Sequence, residues 1–178
     1  MSLQLYERKQ IILENFRRSS QFSILFICSG NIIRSPYAQL LFEHLIKDDK
    51  DLSTKIKVES GAVMYRNYSI ALESHDELLK EGITSERIAQ FKPRHFMDDP
   101  SMFQKADLIL VMAKGHQRKI PERFRDKVFL LLEFTNGKSE SVPDPYFNPP
   151  FSRAYSMIKN SLIQLREFFL ENKNKIKK

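Results

Sequence analysis

The chain carries a single cysteine, Cys28, set in Cys28-Ser29-Gly30-Asn31-Ile32-Ile33-Arg34-Ser35-Pro36. A thiol followed six positions later by an arginine, with Ser-Pro directly after, suits capture of an oxyanion. The thiolate is the nucleophilic form of cysteine, so its surroundings must favour ionisation. A helix opening near Ser35-Pro36 would aim unpaired amides and its positive end at the sulfur. Pro36 fits the first turn because it has no amide hydrogen to satisfy. Arg34 adds a permanent charge with a fork matched to phosphate oxygens. Gly30 and Asn31 tolerate the unusual backbone of a tight amide nest, and the Ser35 hydroxyl is placed to donate to the sulfur. A lone cysteine is ordinarily a small core hydrophobe. Here its neighbours point instead to attack on a phosphate ester.

Transfer of a phosphoryl group to sulfur also needs an acid, because an alkoxide or phenolate leaves poorly. Val142-Pro143-Asp144-Pro145-Tyr146 offers one. An aspartate between two prolines is expected in an extended, rigid loop that keeps its carboxyl aimed.

Elements must bring these segments together. Four short apolar runs read as strands, at residues 23–27, 55–58, 106–112 and 127–134. Runs without polar alternation fit strands covered on both faces, as in a parallel sheet. Tyr37, Leu40, Leu41, His44 and Leu45 follow one helix face. A second amphipathic segment spans 71–81 and stops at Gly82. The last helix starts near Phe151 and turns Tyr155, Ile158, Leu162, Leu165 and Phe169 inward. The alternation predicts an α/β three-layer sandwich, a four-stranded parallel sheet flanked by helices, with the cysteine loop after the first strand. Ligands in such sheets bind at the carboxyl ends of strands, where Cys28 falls. Residues 1–21 read as an amphipathic helical extension packed through Leu5, Ile12, Leu13 and Phe16. The main domain covers 22–172, and 173–178 form a basic tail.

The length of 178 residues suits one domain with a real core. With 42% hydrophobic and 29% charged residues, the composition is that of an ordinary globular protein. No apolar stretch approaches the roughly 20 residues of a membrane span, and the charged N-terminus lacks a secretory apolar core. One cysteine excludes internal disulfides and a multi-cysteine metal site. Together these favour the cytoplasm. A net charge of +7 could attract anions. Much of the excess lies in Lys173, Lys175, Lys177 and Lys178, and no nucleic-acid-binding motif accompanies it. His44, His75 and His95 read as structural or surface residues, with nothing to pair them as metal ligands.

Taken together, the cysteine loop and Asp144-Pro145-Tyr146 closely resemble the low-molecular-weight protein tyrosine phosphatases. Their signature is Cys-x-Gly-Asn-x-Cys-Arg-Ser-Pro-x-Ala near the N-terminus, with Asp-Pro-Tyr or Asp-Pro-Phe late in the chain. The resemblance runs over residues 22–172 and takes in Gly82-Ile83, the third apolar run and His116. It implies Cys28 as nucleophile, Arg34 as phosphate clamp and Asp144 as general acid and then base. It implies Ser29, Gly30, Asn31, Ile32 and Ile33 as the phosphate-binding loop and its support, with Asn31 fixing a strained backbone and Ser35 stabilising the thiolate. No metal or cofactor is implied, and the expected partner is a protein bearing phosphotyrosine.

Several positions depart from the family pattern. Ile33 replaces the second loop cysteine, so the resemblance implies that Cys28 lacks the disulfide partner that shields it in relatives. The missing cysteines also decide against thiol-dependent arsenate reductases on the same fold. In the related protein-arginine phosphatases the residue after the loop Asn is typically Thr. Ile32 leans toward phosphotyrosine, with phosphoarginine, another phosphomonoester or a phosphoprotein-binding module as alternatives. Tyr65 and Tyr146 are candidate aromatic walls for a substrate ring. Phe91-Lys92-Pro93-Arg94 stands where relatives commonly carry His-x-x-Arg, which bears on how the loop is buttressed.

Overall fold

The computed structural model describes residues 3–173. Strands β1 (Phe22–Cys28), β2 (Ile56–Ala62), β3 (Leu108–Val111) and β4 (Val128–Leu130) form a sheet in the order β2-β1-β3-β4. All three pairings are parallel, with Cys28 opposite Ala62 and Ile27 opposite Val111. Every residue of β1 is buried, so its alternating side chains feed two cores. Phe22, Ile24, Phe26 and Cys28 enter one, and Leu25 and Ile27 enter the other. That explains a run with no polar alternation.

The larger core lies beneath α1 (Leu3–Arg18), α2 (Arg34–Ile46) and α9 (Phe151–Asn172). Tyr155, Ile158, Leu162, Leu165 and Phe169 of α9 are buried, the stripe expected from spacing. In α2, Tyr37, Leu40 and Leu41 are buried, while His44 and Leu45 are half-buried. Shorter helices follow along the chain: α3 (Lys50–Lys55), α4 (Leu72–Lys80), α5 (Ser85–Ala89), α6 (Met102–Lys105), α7 (Lys114–Gln117) and α8 (Leu131–Asn136). The second core gathers Met102 and Phe103 of α6 and Phe124 of a 3-10 turn (Glu122–Lys127). Gly82, with φ +83°, supplies the left-handed residue after α4.

Helix α1 covers the end of the sheet where strands begin. Phe16 packs on Phe22 at 5.4 Å and Phe169 at 4.7 Å between ring centroids. Arg8 donates to the carbonyls of Arg125 and Val128, and Lys9 to that of Phe134. Cys28 sits at the opposite end of the strands.

Element boundaries differ from the sequence expectation in physically instructive ways. The run at 127–134 is three residues of strand followed by α8, because Leu131, Leu132 and Phe134 pack inward from a helix. The second strand extends beyond 55–58 to Ala62, and the third shortens to Leu108–Val111. Lys173 is no loose tail: its ammonium contacts Asp49 at 2.8 Å and Asp51 at 3.1 Å. Lys175, Lys177 and Lys178 lie outside the described residues. Among the described residues no helix is long and apolar enough to cross a membrane.

Candidate active site

The chain leaves β1 at Cys28, curls through residues 29–33 and enters α2 at Arg34, one residue earlier than expected. The first turn of α2 leaves its leading N–H groups without intrahelical acceptors. Cys28 Sγ accepts the Asn31 N–H at 3.2 Å and lies 3.0 Å from Ser35 Oγ.

Asn31 makes the curl possible. Its φ of 54° is the one positive value among described non-glycine residues, a conformation that Asn tolerates better than most side chains. Its buried side chain holds that turn from three sides. Nδ2 donates to Ser35 Oγ at 2.9 Å and Ser60 Oγ at 2.8 Å, while Oδ1 accepts the Arg94 N–H at 2.9 Å. Ser60 in turn donates to Gln39 at 2.7 Å. Gly30 acts differently from the expectation, through space and not through backbone freedom. A Cβ there would lie 2.8 Å from Asn67 Nδ2, and that same nitrogen donates to the Gly30 carbonyl at 2.8 Å. Ile33 is buried beneath the loop, and its carbonyl accepts the Tyr37 N–H and Ser74 Oγ.

Phe91-Lys92-Pro93-Arg94 buttresses the loop by backbone. The Arg94 amide reaches Asn31, its carbonyl accepts the Ala62 N–H, and its guanidinium pairs with Glu59 and Asp99. No histidine is needed at Phe91 for these contacts.

Arg34 is buried, and both terminal nitrogens of its fork are engaged. Nη1 donates to the Val142 carbonyl at 3.2 Å, and Nη2 to Ser29 Oγ at 3.2 Å and Asp144 Oδ2 at 2.6 Å. Asp144 therefore stands over the cysteine loop from 110 residues away. Its segment is pinned by the Val142 N–H on the Met112 carbonyl at the end of β3. The aspartate stands just before a turn at residues 145–147. Its carbonyl accepts the N–H groups of Phe147 and Asn148, and its Oδ1 accepts that of Tyr146. Pro145 fixes φ inside this turn, which is how a proline serves a turn as well as a strand.

Behind Arg34, Ser29 Oγ lies 2.9 Å from His116 Nε2. Burial, with Arg34 nearby, pushes the His116 imidazole down to about 3, so the ring is neutral. Its Nδ1 is buried without a hydrogen-bond partner among the described residues.

Cys28, Ser29, Gly30, Ile32, Ile33, Arg34, Tyr65, Asp144 and Tyr146 line one cleft of about 230 Å³. Asn31 and Ser35 lie behind it, fully buried. Asn67 and Phe147 also line it and escaped sequence reasoning. Phe147 follows the Asp-Pro-Tyr segment directly and is 83% exposed, an unusual position for a phenylalanine that marks the rim. Asn67 has no local signal, since only the folded loop brings it to Gly30. Among the described residues no group of His, Cys, Asp and Glu is arranged to hold a metal ion.

A cysteine and an arginine cradled by an amide loop at the carboxyl end of the first strand, with a carboxylate above them, define a phosphoryl-transferring hydrolase fold. Residues 23–176 match the low molecular weight phosphotyrosine protein phosphatase family, and the chain belongs to it. A protein-arginine-phosphatase of Geobacillus stearothermophilus is 35% identical over 133 residues, covering 72% of this chain and 81% of that protein. The low molecular weight protein-tyrosine-phosphatase PtpA of Staphylococcus aureus is 26% identical over 160 residues, covering 85% and 96%. The crystal structure of YfkJ from Bacillus subtilis superposes with a TM-score of 0.74 at 26% identity, covering 88% of this chain and 99% of that one.

Proposed function

We propose that the protein hydrolyses phosphotyrosine in proteins through a phosphocysteine on Cys28. The observation that carries this reading is the meeting of Cys28, Arg34 and Asp144 in one cleft, with Arg34 Nη2 2.6 Å from Asp144 Oδ2. An incoming phosphate ester takes the place of the carboxylate on Arg34, and its remaining oxygens face the loop amides. Cys28 Sγ attacks phosphorus in line, forming an S–P bond as the P–O bond to the leaving group breaks. Asp144 delivers its proton to the departing phenolic oxygen. In the second step Asp144 takes a proton from water as the water oxygen attacks phosphorus. The S–P bond breaks, and phosphate and the thiolate are released. Preorganised amides and Arg34 stabilise the charge of both transition states.

The cleft walls favour an aromatic leaving group. Ile32, Tyr65, Tyr146 and Phe147 are apolar surfaces for a phenyl ring, and Asp144 is the single acidic side chain among the lining residues. The similarity to an arginine phosphatase at 35% identity supports a second reading, phosphoarginine hydrolysis by the same chemistry. The deciding test is turnover of p-nitrophenyl phosphate by wild type, Cys28→Ser and Asp144→Asn, then of phosphotyrosine and phosphoarginine peptides. Cys28→Ser is expected to be inactive, and Asp144→Asn to lose about 10²–10⁴-fold in kcat. Turnover retained by Cys28→Ser would sink the covalent mechanism. Faster hydrolysis of phosphoarginine would move the assignment to the second reading.

A further inference from the structure

A second concavity lies against the active cleft. It is a shallow groove of about 410 Å³ lined by Met64, Gly115, His116, Arg118 and Lys119. Two contacts make it continuous with the loop that holds Cys28. His116 reaches Ser29 Oγ at 2.9 Å, and the N–H groups of Met64 and Tyr65 both donate to the Ser29 carbonyl at 3.0 Å. Groove residues His116 and Met64 therefore both bear on Ser29, which lines the cleft, and Met64 of the groove is followed directly by Tyr65 of the cleft.

The charge of this groove is one-sided. Residues 113–121 read Ala-Lys-Gly-His-Gln-Arg-Lys-Ile-Pro and contain Lys114, Arg118 and Lys119 with no acidic residue. All three cations are exposed, and none has an ion-pair partner among the described residues. Many other cations of the protein are neutralised in place: Arg66 by Asp98, Arg87 by Glu43, Arg94 by Glu59 and Asp99, Lys159 by Glu81. The floor adds a neutral imidazole whose Nδ1 has no partner among the described residues, and Met64 contributes a half-exposed apolar edge. The cleft itself is aromatic at its rim, with Tyr65, Tyr146 and Phe147 exposed.

We propose that this groove seats aspartate or glutamate side chains of the substrate protein that lie close in sequence to its phosphorylated residue. The proposal rests on the phosphatase reading and adds a specificity to it. A peptide in extended form advances about 3.3 Å per residue, so a phosphoryl group held at Cys28 places near neighbours on one side over Arg118 and Lys119. Neighbours on the other side lead away from the groove. Acidic residues are thus favoured on one side of the phosphorylated position only.

The test uses full-length protein and three phosphotyrosine peptides, with acidic residues before the phosphotyrosine, after it, or replaced by alanine. Wild type is expected to turn over one acidic peptide with kcat/KM about three- to tenfold above the alanine peptide at low salt, the size of two exposed ion pairs. Arg118→Glu/Lys119→Glu should abolish that advantage while leaving kcat and KM for p-nitrophenyl phosphate unchanged. The same peptides titrated onto Cys28→Ser by fluorescence anisotropy read the groove separately from catalysis, so a missing turnover and a missing preference are told apart. Equal affinity for all three peptides overturns the proposal, as does an equal advantage for acids on both sides. Loss of p-nitrophenyl phosphate turnover in the double variant would overturn it as well. Displacement of the acidic peptide by a 20-base-pair DNA duplex that binds as tightly would reassign the groove to nucleic acid.

Discussion

At the scale of single residues, the site is held by polar side chains that are buried and hydrogen-bonded to one another. His116 is the sharpest case. Its imidazole, ordinarily near 6.5, is pushed down to about 3 in the folded protein by burial and by Arg34. On acidification the unfolded chain takes up the proton first, between about 6.5 and 3, so stability is present in full near pH 7 and is lost as pH falls through that window. Between pH 7 and pH 5 the loss from this group alone is about 2 kcal/mol. Urea unfolding at both pH values should show wild type losing that much more than His116→Gln, which cannot titrate. Parallel curves would mean that the ring is protonated or exposed in the folded state. The sequence pattern pointed to His116 by resemblance alone, since nothing local says that its Nε2 meets Ser29. Asn31 was legible because a small polar residue beside glycine signals a left-handed turn. Gly30 was read for the wrong reason, because the close approach of Asn67 comes from a segment 37 residues away.

At the scale of elements, legibility follows periodicity. Helix α9 was readable because its five large apolar positions repeat along one face; the small buried Ala154 and Ser161 beside them carry no such signal. The run from Val128 to Phe134 was not, since a buried strand and a buried helix are equally apolar and carry no alternation to tell them apart. Helix α1 is the element whose contribution is easiest to isolate. Its Phe16 is 1% exposed and wedges between Phe22 at the start of β1 and Phe169 near the end of α9. Truncating it removes a ring from a close-packed aromatic group, and Phe16→Ala is expected to cost about 3–5 kcal/mol in urea unfolding. The strand ends it braces lie opposite Cys28, so kcat and KM for p-nitrophenyl phosphate should be unchanged at a temperature where the variant is folded. A matching fall in kcat would show that α1 positions the loop, and would overturn the separation of the two ends.

At the scale of the whole molecule, the sheet order β2-β1-β3-β4 places β1 where the chain reverses direction across the sheet. That crevice is where parallel sheets bind ligands, and it gathers segments that no short-range pattern connects. Ser60 closes the loop from β2, Arg94 from the stretch after α5, and Asp144 arrives through the Val142 contact with the end of β3. The sequence placed Cys28 and Asp144 in separate motifs, and the topology brings them together. Their link through Arg34 has a consequence for anion binding. With Asp144 Oδ2 on Arg34 Nη2 at 2.6 Å, an entering phosphate must displace the carboxylate and then stand beside it. Two like charges about 4 Å apart repel by more than about 1 kcal/mol at the effective dielectric of a partly buried site. Asp144→Asn keeps the shape and removes the charge. It should therefore bind inorganic phosphate about tenfold more tightly than wild type, although it turns over substrate more slowly. Binding to the folded state alone raises thermal stability with ligand concentration, so phosphate titrations followed by melting temperature read both constants without turnover. Weaker binding by Asp144→Asn would show that the carboxylate does not compete with phosphate for Arg34.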